Sequence, residues 1–174
     1  MDGAAENGPF RIADEKGFEL ETLLHSIHDS GQAESLRCCH PEGRCYVWAL
    51  PDEKENRSIW NLMSGHDLVL AFNSGSIIAA AYILMKLENP SVANALWGAD
   101  AGRRFRLMCF SRQPYTGEVP IIPQMERYLD REFKGFTRLG QQKTDNILSD
   151  YGSFETFVRL CLKYDFPFSF RHSE

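Results

Sequence analysis

Apolar positions recur along this chain in helical, alternating and continuous patterns, and each predicts an element. From Gly17, "GFELETLLHSI" spaces Phe18, Leu20, Leu23, Leu24 and Ile27 for one face of a helix running to about Ser30. "RCYVWAL", residues 44–50, is short, β-branched and aromatic, which predicts a buried strand. "PDEKENRSIWNLM" follows as a short helix, with Pro51 expected at its first position and Trp60 near its end. "HDLVLAFNSGSIIAAAYILMKLEN" is two apolar runs split by Asn73, Ser74 and Gly75, residue types that suit a hairpin turn. "NPSVANALWG" has room for one or two helical turns, and "RRFRLMCF" alternates as a strand, with Phe105, Leu107 and Cys109 on one side. A loop through Pro120, a helix over "PQMERYLDREF", and a closing helix pair over "TDNILSDYG" and "SFETFVRLCLKY" complete the pattern. In the last helix Ser153 is the expected cap, and Phe154, Phe157, Val158, Cys161 and Leu162 form the apolar stripe.

This order does not alternate as βαβ units, so a doubly wound parallel sheet is not expected. An α+β fold is: a small curved sheet or barrel surrounded by helices. The 174 residues are enough for one domain with a proper core, and 43% hydrophobic with 12% aromatic residues is a globular composition. Residues 1–36 stand apart as an acidic extension with one helix, its first dozen residues expected to be loose, and 37–174 form the domain proper.

Charge adds a second division. The net charge is −5, but residues 1–36 carry eight acids against two bases. Residues 100–143 carry nine bases against five acids, so a polyanion would meet that half first. Arginines beside acids on the helix after Pro120 are expected simply to make a solvated face. No apolar run is long enough to span a membrane, and "MDGAAENGPF" lacks the order of a signal peptide, so a cytoplasmic protein is expected. The odd cysteine count of five fits reduced thiols. "CCHPEGRC" (Cys38, Cys39, His40, Cys45) is a poor zinc site, because adjacent cysteines serve one tetrahedral ion badly; a turn on Pro41 and Gly43 leading into a strand is the better reading.

Catalytic signatures are missing. There is no phosphate-binding G-x-x-x-x-G-K-[ST] loop, no G-x-S-x-G elbow and no H-E-x-x-H pair, so neither an enzyme nor a cofactor or metal is expected. Three tryptophans remain beside the basic half. For Trp48, inside an apolar strand, a core role comes first. For Trp60 and Trp97, flanked by polar loop residues, core and ligand-binding roles both stay open.

The order of four motifs narrows this. "YVWALP", "WNLMSGHDLVLAFNSG", "LWGADAGRRFRLMCF" and "KGFTRLGQ" together resemble the PUA-like superfamily that contains YTH and EVE domains. Leu96, Trp97 and Gly98 before a "D-x-G-R" turn, Gly135 to Arg138, and "YGSFETFV" make it most similar to the EVE/YTH-like domain of McrB-type modification-dependent restriction proteins, over about residues 44–162. The resemblance implies a reader of a modified base flipped out of DNA into an aromatic cage. It implies Trp60 and Trp97 as cage walls, with Trp48, Phe72 or Tyr46 as the third. Asn73, Ser74, Asp100 and Gln141 would then form the polar pocket, and Arg103, Arg104, Arg138 and Lys143 would meet the nucleic-acid backbone. Phe105 stands where the pattern has a tryptophan or another aromatic, a conservative change if the position is core. The GTPase of such proteins is absent, so the chain is expected to be part of a longer protein.

Physical chemistry allows such a reader. Extruding a base costs a few kcal/mol, and each base–aromatic stack returns ~1–3 kcal/mol. A methyl-sized difference is worth roughly 10–200-fold in discrimination. N6-methyladenine in DNA is the favoured ligand. A reader of N6-methyladenosine in RNA, a reader of 5-methylcytosine or 5-hydroxymethylcytosine in DNA, and a protein-interaction module with structural tryptophans are the alternatives.

Overall fold

The computed structural model describes residues 11–12, 17–133 and 135–163. Helix takes up 42% and strand 26%, and the sheet is curled and antiparallel, so the expected α+β class with a curved sheet holds. Two compact units divide the chain.

The first unit comprises residues up to Val69, Ala81–Pro114 and a short piece near residue 135. Its strands β1 (Arg11–Ile12) and β2 (Phe18–Glu19) both pair antiparallel with β3 (Arg44–Leu50). Arg11 and Ile12 are thus part of the sheet, where a loose segment was expected. The helix expected from Gly17 to Ser30 is two helices, α1 (Leu20–Leu24) and α2 (Ser30–Cys39). Asp29 decides the break: its carboxylate accepts the Gln32 backbone N–H at 2.9 Å, and this cap starts a new helix. The turn expected on Pro41 and Gly43 is present, and Gly43 adopts φ +74°.

β3 is buried at every residue but the first, as a strand covered on both faces should be. It is followed by α3 (Lys54–Leu62), which starts three residues beyond Pro51. Asp52 explains the delay: its N–H donates to Arg104 O at 2.9 Å and its carboxylate holds two arginines, so Pro51 and Asp52 stay with the sheet. Next come β4 (Leu68–Asn73) and β5 (Ser76–Leu87), each passing from one unit into the other. Then α4 (Pro90–Trp97) begins with Pro90 in its first turn and Asn89 accepting from the Ser91 and Val92 N–H groups.

Gly98, at φ +79°, ends α4 and admits α5 (Ala99–Arg104) directly. Asp100 to Gly102, expected as a turn, is therefore helical, and Arg103 and Arg104 belong to that helix. α5 can lie close to α4 because Gly102 has no side chain; a Cβ there would meet Asn94 N at 2.8 Å. β6 (Leu107–Ser111) consequently starts only at Leu107 and is buried throughout, between β3 and β5.

The second unit holds the β4–β5 hairpin from Leu70 to Ala80, residues 115–133, and the chain from Arg138 on. Ser74 (φ +47°) and Gly75 (φ +84°) make the expected two-residue turn. β7 (Tyr115–Pro120) pairs with the first half of β5, where a loop was expected. Its Pro and Gly interrupt the strand-forming Tyr115, Thr116 and Val119, and Pro120 is tolerated because it closes an edge strand. The helix expected over "PQMERYLDREF" is only a 3-10 turn, Pro123–Arg127. Tertiary partners take the carbonyls a longer helix would use: Lys143 Nζ donates to Glu126 O and Asn146 Nδ2 to Arg127 O. The closing pair appears as expected, α6 (Gln141–Tyr151) and α7 (Phe154–Cys161), divided by Gly152 at φ +75°. Ser153 caps α7 through the Thr156 N–H, and Phe157, Val158 and Leu162 are fully covered.

Candidate functional site

Side-chain alternation in the first unit sorts the candidate aromatics onto two faces. Trp48 pairs with Cys109, while Val47 and Ala49 pair with Phe110 and Met108. Residues paired across a strand share a face and neighbours along it alternate. Tyr46, Trp48, Leu107, Cys109 and Ser111 therefore point one way, and Val47, Ala49, Met108 and Phe110 the other.

The second of these faces is the main core. Val47, Ala49, Met108 and Phe110 cluster there with Leu20, Leu23 and Leu36 from α1 and α2 and Val92 and Ala93 from α4. Trp97 packs against this cluster together with Phe18, Leu96 and Phe105. Its ring stacks on Phe18 with centroids 6.5 Å apart, and its buried indole N–H finds no acceptor among the described residues. Phe105 is thus partly buried against the core.

Trp60 stands on the opposite face. It is 9% exposed, and its Nε1–H donates to Met108 O at 3.3 Å. Cys109 Sγ contacts Met63 Sδ at 4.0 Å, and burial pushes this thiol up to about 12. Lys86, paired with Cys109 in register, lies over the Trp60 ring at 4.8 Å. Trp60 and Trp97 consequently do not face one another: the sheet lies between them. Trp60 shares its face with Trp48, Tyr46 and the buried hydroxyl of Ser111, whose Oγ has no hydrogen-bond partner among the described residues.

The polar and basic candidates are mostly engaged elsewhere. Arg103 pairs with Asp100 at 3.4 Å on α5, both highly exposed, and Arg104 lies over the Phe105 ring at 5.5 Å. In the second unit Asn73 and Ser74 hydrogen-bond one another at the hairpin tip, and Phe72 packs edge-on against Phe133 at 5.3 Å. Gln141 donates to Asp145, Lys143 pairs with Asp130 at 2.8 Å, and Arg138 is exposed. Arg127 and Arg131 are paired with acids as expected, but with Asp150 and Glu126.

Two further arrangements have no counterpart in the sequence motifs. Asp52 joins Arg57 (2.7 Å) and Arg106 (2.6 Å), and Arg57 also makes a bidentate pair with Glu88. The Arg57 hydrogen bond, helped by Arg106, pulls the Asp52 carboxyl down to about 2. His40, wholly buried at the end of α2, meets Phe110 edge-on, and its ring nitrogens find no hydrogen-bond partner among the described residues, Glu42 standing 4.0 Å from Nδ1. Burial lowers its basicity, against an upward pull from Glu42 and the Arg44 backbone. Both clusters bring together residues distant in sequence or hidden in short turns, so periodicity gave no signal for them. Lys86 had one: it is a lone charge inside an apolar strand.

Among the described residues no group of His, Cys, Asp or Glu is arranged to hold a metal ion, and no helix is long and apolar enough to cross a membrane. Compared with protein-family models, with curated proteins and with solved structures, the chain matches none of them.

Proposed function

We propose that this chain is a non-catalytic binding module that reads a modified base flipped out of DNA, N6-methyladenine first, as the targeting domain of a McrB-type restriction protein. The observation that carries the reading is the placing of Trp48, Trp60 and Tyr46 on one sheet face with the buried Ser111 hydroxyl, which has no hydrogen-bond partner among the described residues. Two indoles and a phenol supply stacking surface, and a buried unsatisfied hydroxyl favours a ligand that offers it a hydrogen bond. The order of the motifs supports it too, since Trp60 lies in the helix just ahead of β4, and Asn73 ends β4 at the turn that Ser74 and Gly75 make. In this reading the cage is built from Trp48, Trp60 and Tyr46, and Trp97 is a core residue.

The three rings are each at most 9% exposed, so a base reaches them as neighbouring side chains give way. Tryptophan emission should therefore change on binding. The test is a fluorescence titration with duplexes of one sequence carrying N6-methyladenine, 5-methylcytosine, 5-hydroxymethylcytosine or no modification, with methylated single-stranded RNA as competitor. One modified duplex should bind tighter than its unmodified twin, and Trp60→Ala should remove the difference. Equal binding across the panel overturns the proposal, and stronger competition by the RNA moves it to an RNA reader.

A second reading, a protein-interaction module with structural tryptophans, is favoured by the Trp60 Nε1 bond to Met108 O, which employs the indole inside the fold. On that reading no oligonucleotide alters the emission, and Trp60→Ala lowers only the melting temperature.

A further inference from the structure

A helix C-terminus collects unpaired carbonyls and the negative end of the helix dipole. At the end of α3 the Trp60 carbonyl accepts the Met63 N–H at 3.2 Å, and it shares a further donor, a single cation, with the Asn61 carbonyl. Lys86 Nζ donates to Trp60 O at 2.7 Å and to Asn61 O at 3.1 Å. The same ammonium lies 4.8 Å from the centroid of the Trp60 ring, inside the range of a cation–π contact. Lys86 comes from β5, twenty-six residues further along the chain. Its register opposite Cys109 sends it to the face that carries Trp60.

We infer that Lys86 is a positioning residue for Trp60, one that sets the indole in a single orientation before any ligand arrives. The inference rests on the base-reading function proposed above. Trp60 is held from two directions: at its ring edge by the Nε1 bond to Met108 O, and at its ring face and backbone by the Lys86 ammonium. A ring already held loses little freedom on stacking, so its stacking energy goes into telling one base from another. A lysine also suits the place chemically. Its three donors are enough for both carbonyls, and its charge answers both the dipole and the ring.

The test compares the unaltered protein with Lys86→Gln, which keeps a donor and drops the charge, and Lys86→Arg, which keeps the charge. Each is titrated with a duplex carrying N6-methyladenine and with its unmodified twin, using anisotropy of the labelled duplex, and each is melted to check folding. The ratio of methylated to unmodified binding should fall about 2- to 5-fold in Lys86→Gln, the size of a part-exposed cation–π contact, and return in Lys86→Arg. Should Lys86→Gln be unfolded at the assay temperature, Lys86→Met, which keeps the unbranched stem, takes its place. A ratio unchanged without the charge, or one that falls as far with arginine, overturns the role of Lys86 and leaves the reader standing. No discrimination in the unaltered protein overturns the reader itself, and the positioning role with it.

Discussion

Replacing Trp97 by alanine separates a tryptophan of the core from one of a recognition face. Trp97 packs against the cluster built on Met108 and Phe110 and stacks on Phe18. Truncating a fully buried aromatic to alanine costs roughly 3–5 kcal/mol. Two features of Trp97 reduce that figure. The residue is only partly covered, and its buried N–H has no acceptor among the described residues, so alanine also relieves a desolvation penalty of about 1 kcal/mol. The expected loss is about 2 kcal/mol, which in a chain of this size lowers the melting temperature by roughly 4–8 °C. Trp97→Phe, which keeps the ring and drops the unsatisfied donor, should cost less than half as much. Thermal melts followed by circular dichroism measure both variants, and the duplex titration is repeated on each. Because the sheet separates Trp97 from Trp60, neither variant should alter the preference for a modified duplex. A Trp97→Ala protein that melts like the unaltered one but no longer distinguishes the duplexes would refute the assignment of faces.

Two predictions concern pH. The Asp52 carboxyl, held down to about 2 by Arg57 and Arg106 from an ordinary 3.8, contributes stability that is present above pH 3.8 and lost as pH falls toward 2. The contribution is about 1–2 kcal/mol, since both arginines are about a third exposed and water screens the pairs; denaturant melts of Asp52→Asn should show that much less loss between pH 5 and pH 2, and equal loss would disprove it. His40 is buried in its neutral form with its basicity lowered, so its contribution is present above pH 6.5 and declines below that, by at most about 1.4 kcal/mol per pH unit. In His40→Leu the melting temperature should change less between pH 7 and pH 5; an unchanged slope would show that His40 charges without cost.

Local chemistry was legible wherever a single residue type decides the backbone. The turn around Ser74 and Gly75, the Ser153 cap and the continuous apolar run of β3 all followed from short-range preferences that need no distant partner. Elements whose backbone groups are claimed by remote side chains were not legible. The 3-10 turn at Pro123 gives its carbonyls to Lys143 and Asn146, and α3 starts late because Asp52 is tied to Arg57, Arg104 O and Arg106.

The candidate site divides the same way. Residue type and motif order singled out Trp48, Trp60, Trp97, Phe72 and Tyr46 as the aromatics to watch, and Phe72 packs against Phe133 in the second unit. Which of them share a face was a matter of register: Trp48 opposite Cys109, and Ala49 opposite Met108. A shift of one residue would exchange the two faces entirely. The pairing of β3 with β6 is a contact across some sixty residues, and only the folded sheet decides it. That pairing puts Trp48 on the face of Cys109 and Ser111, and the pairing of β5 with β6 brings Lys86, which lies over the Trp60 ring, to the same face, because side chains alternate along a strand while the strand's partner is chosen by the whole fold.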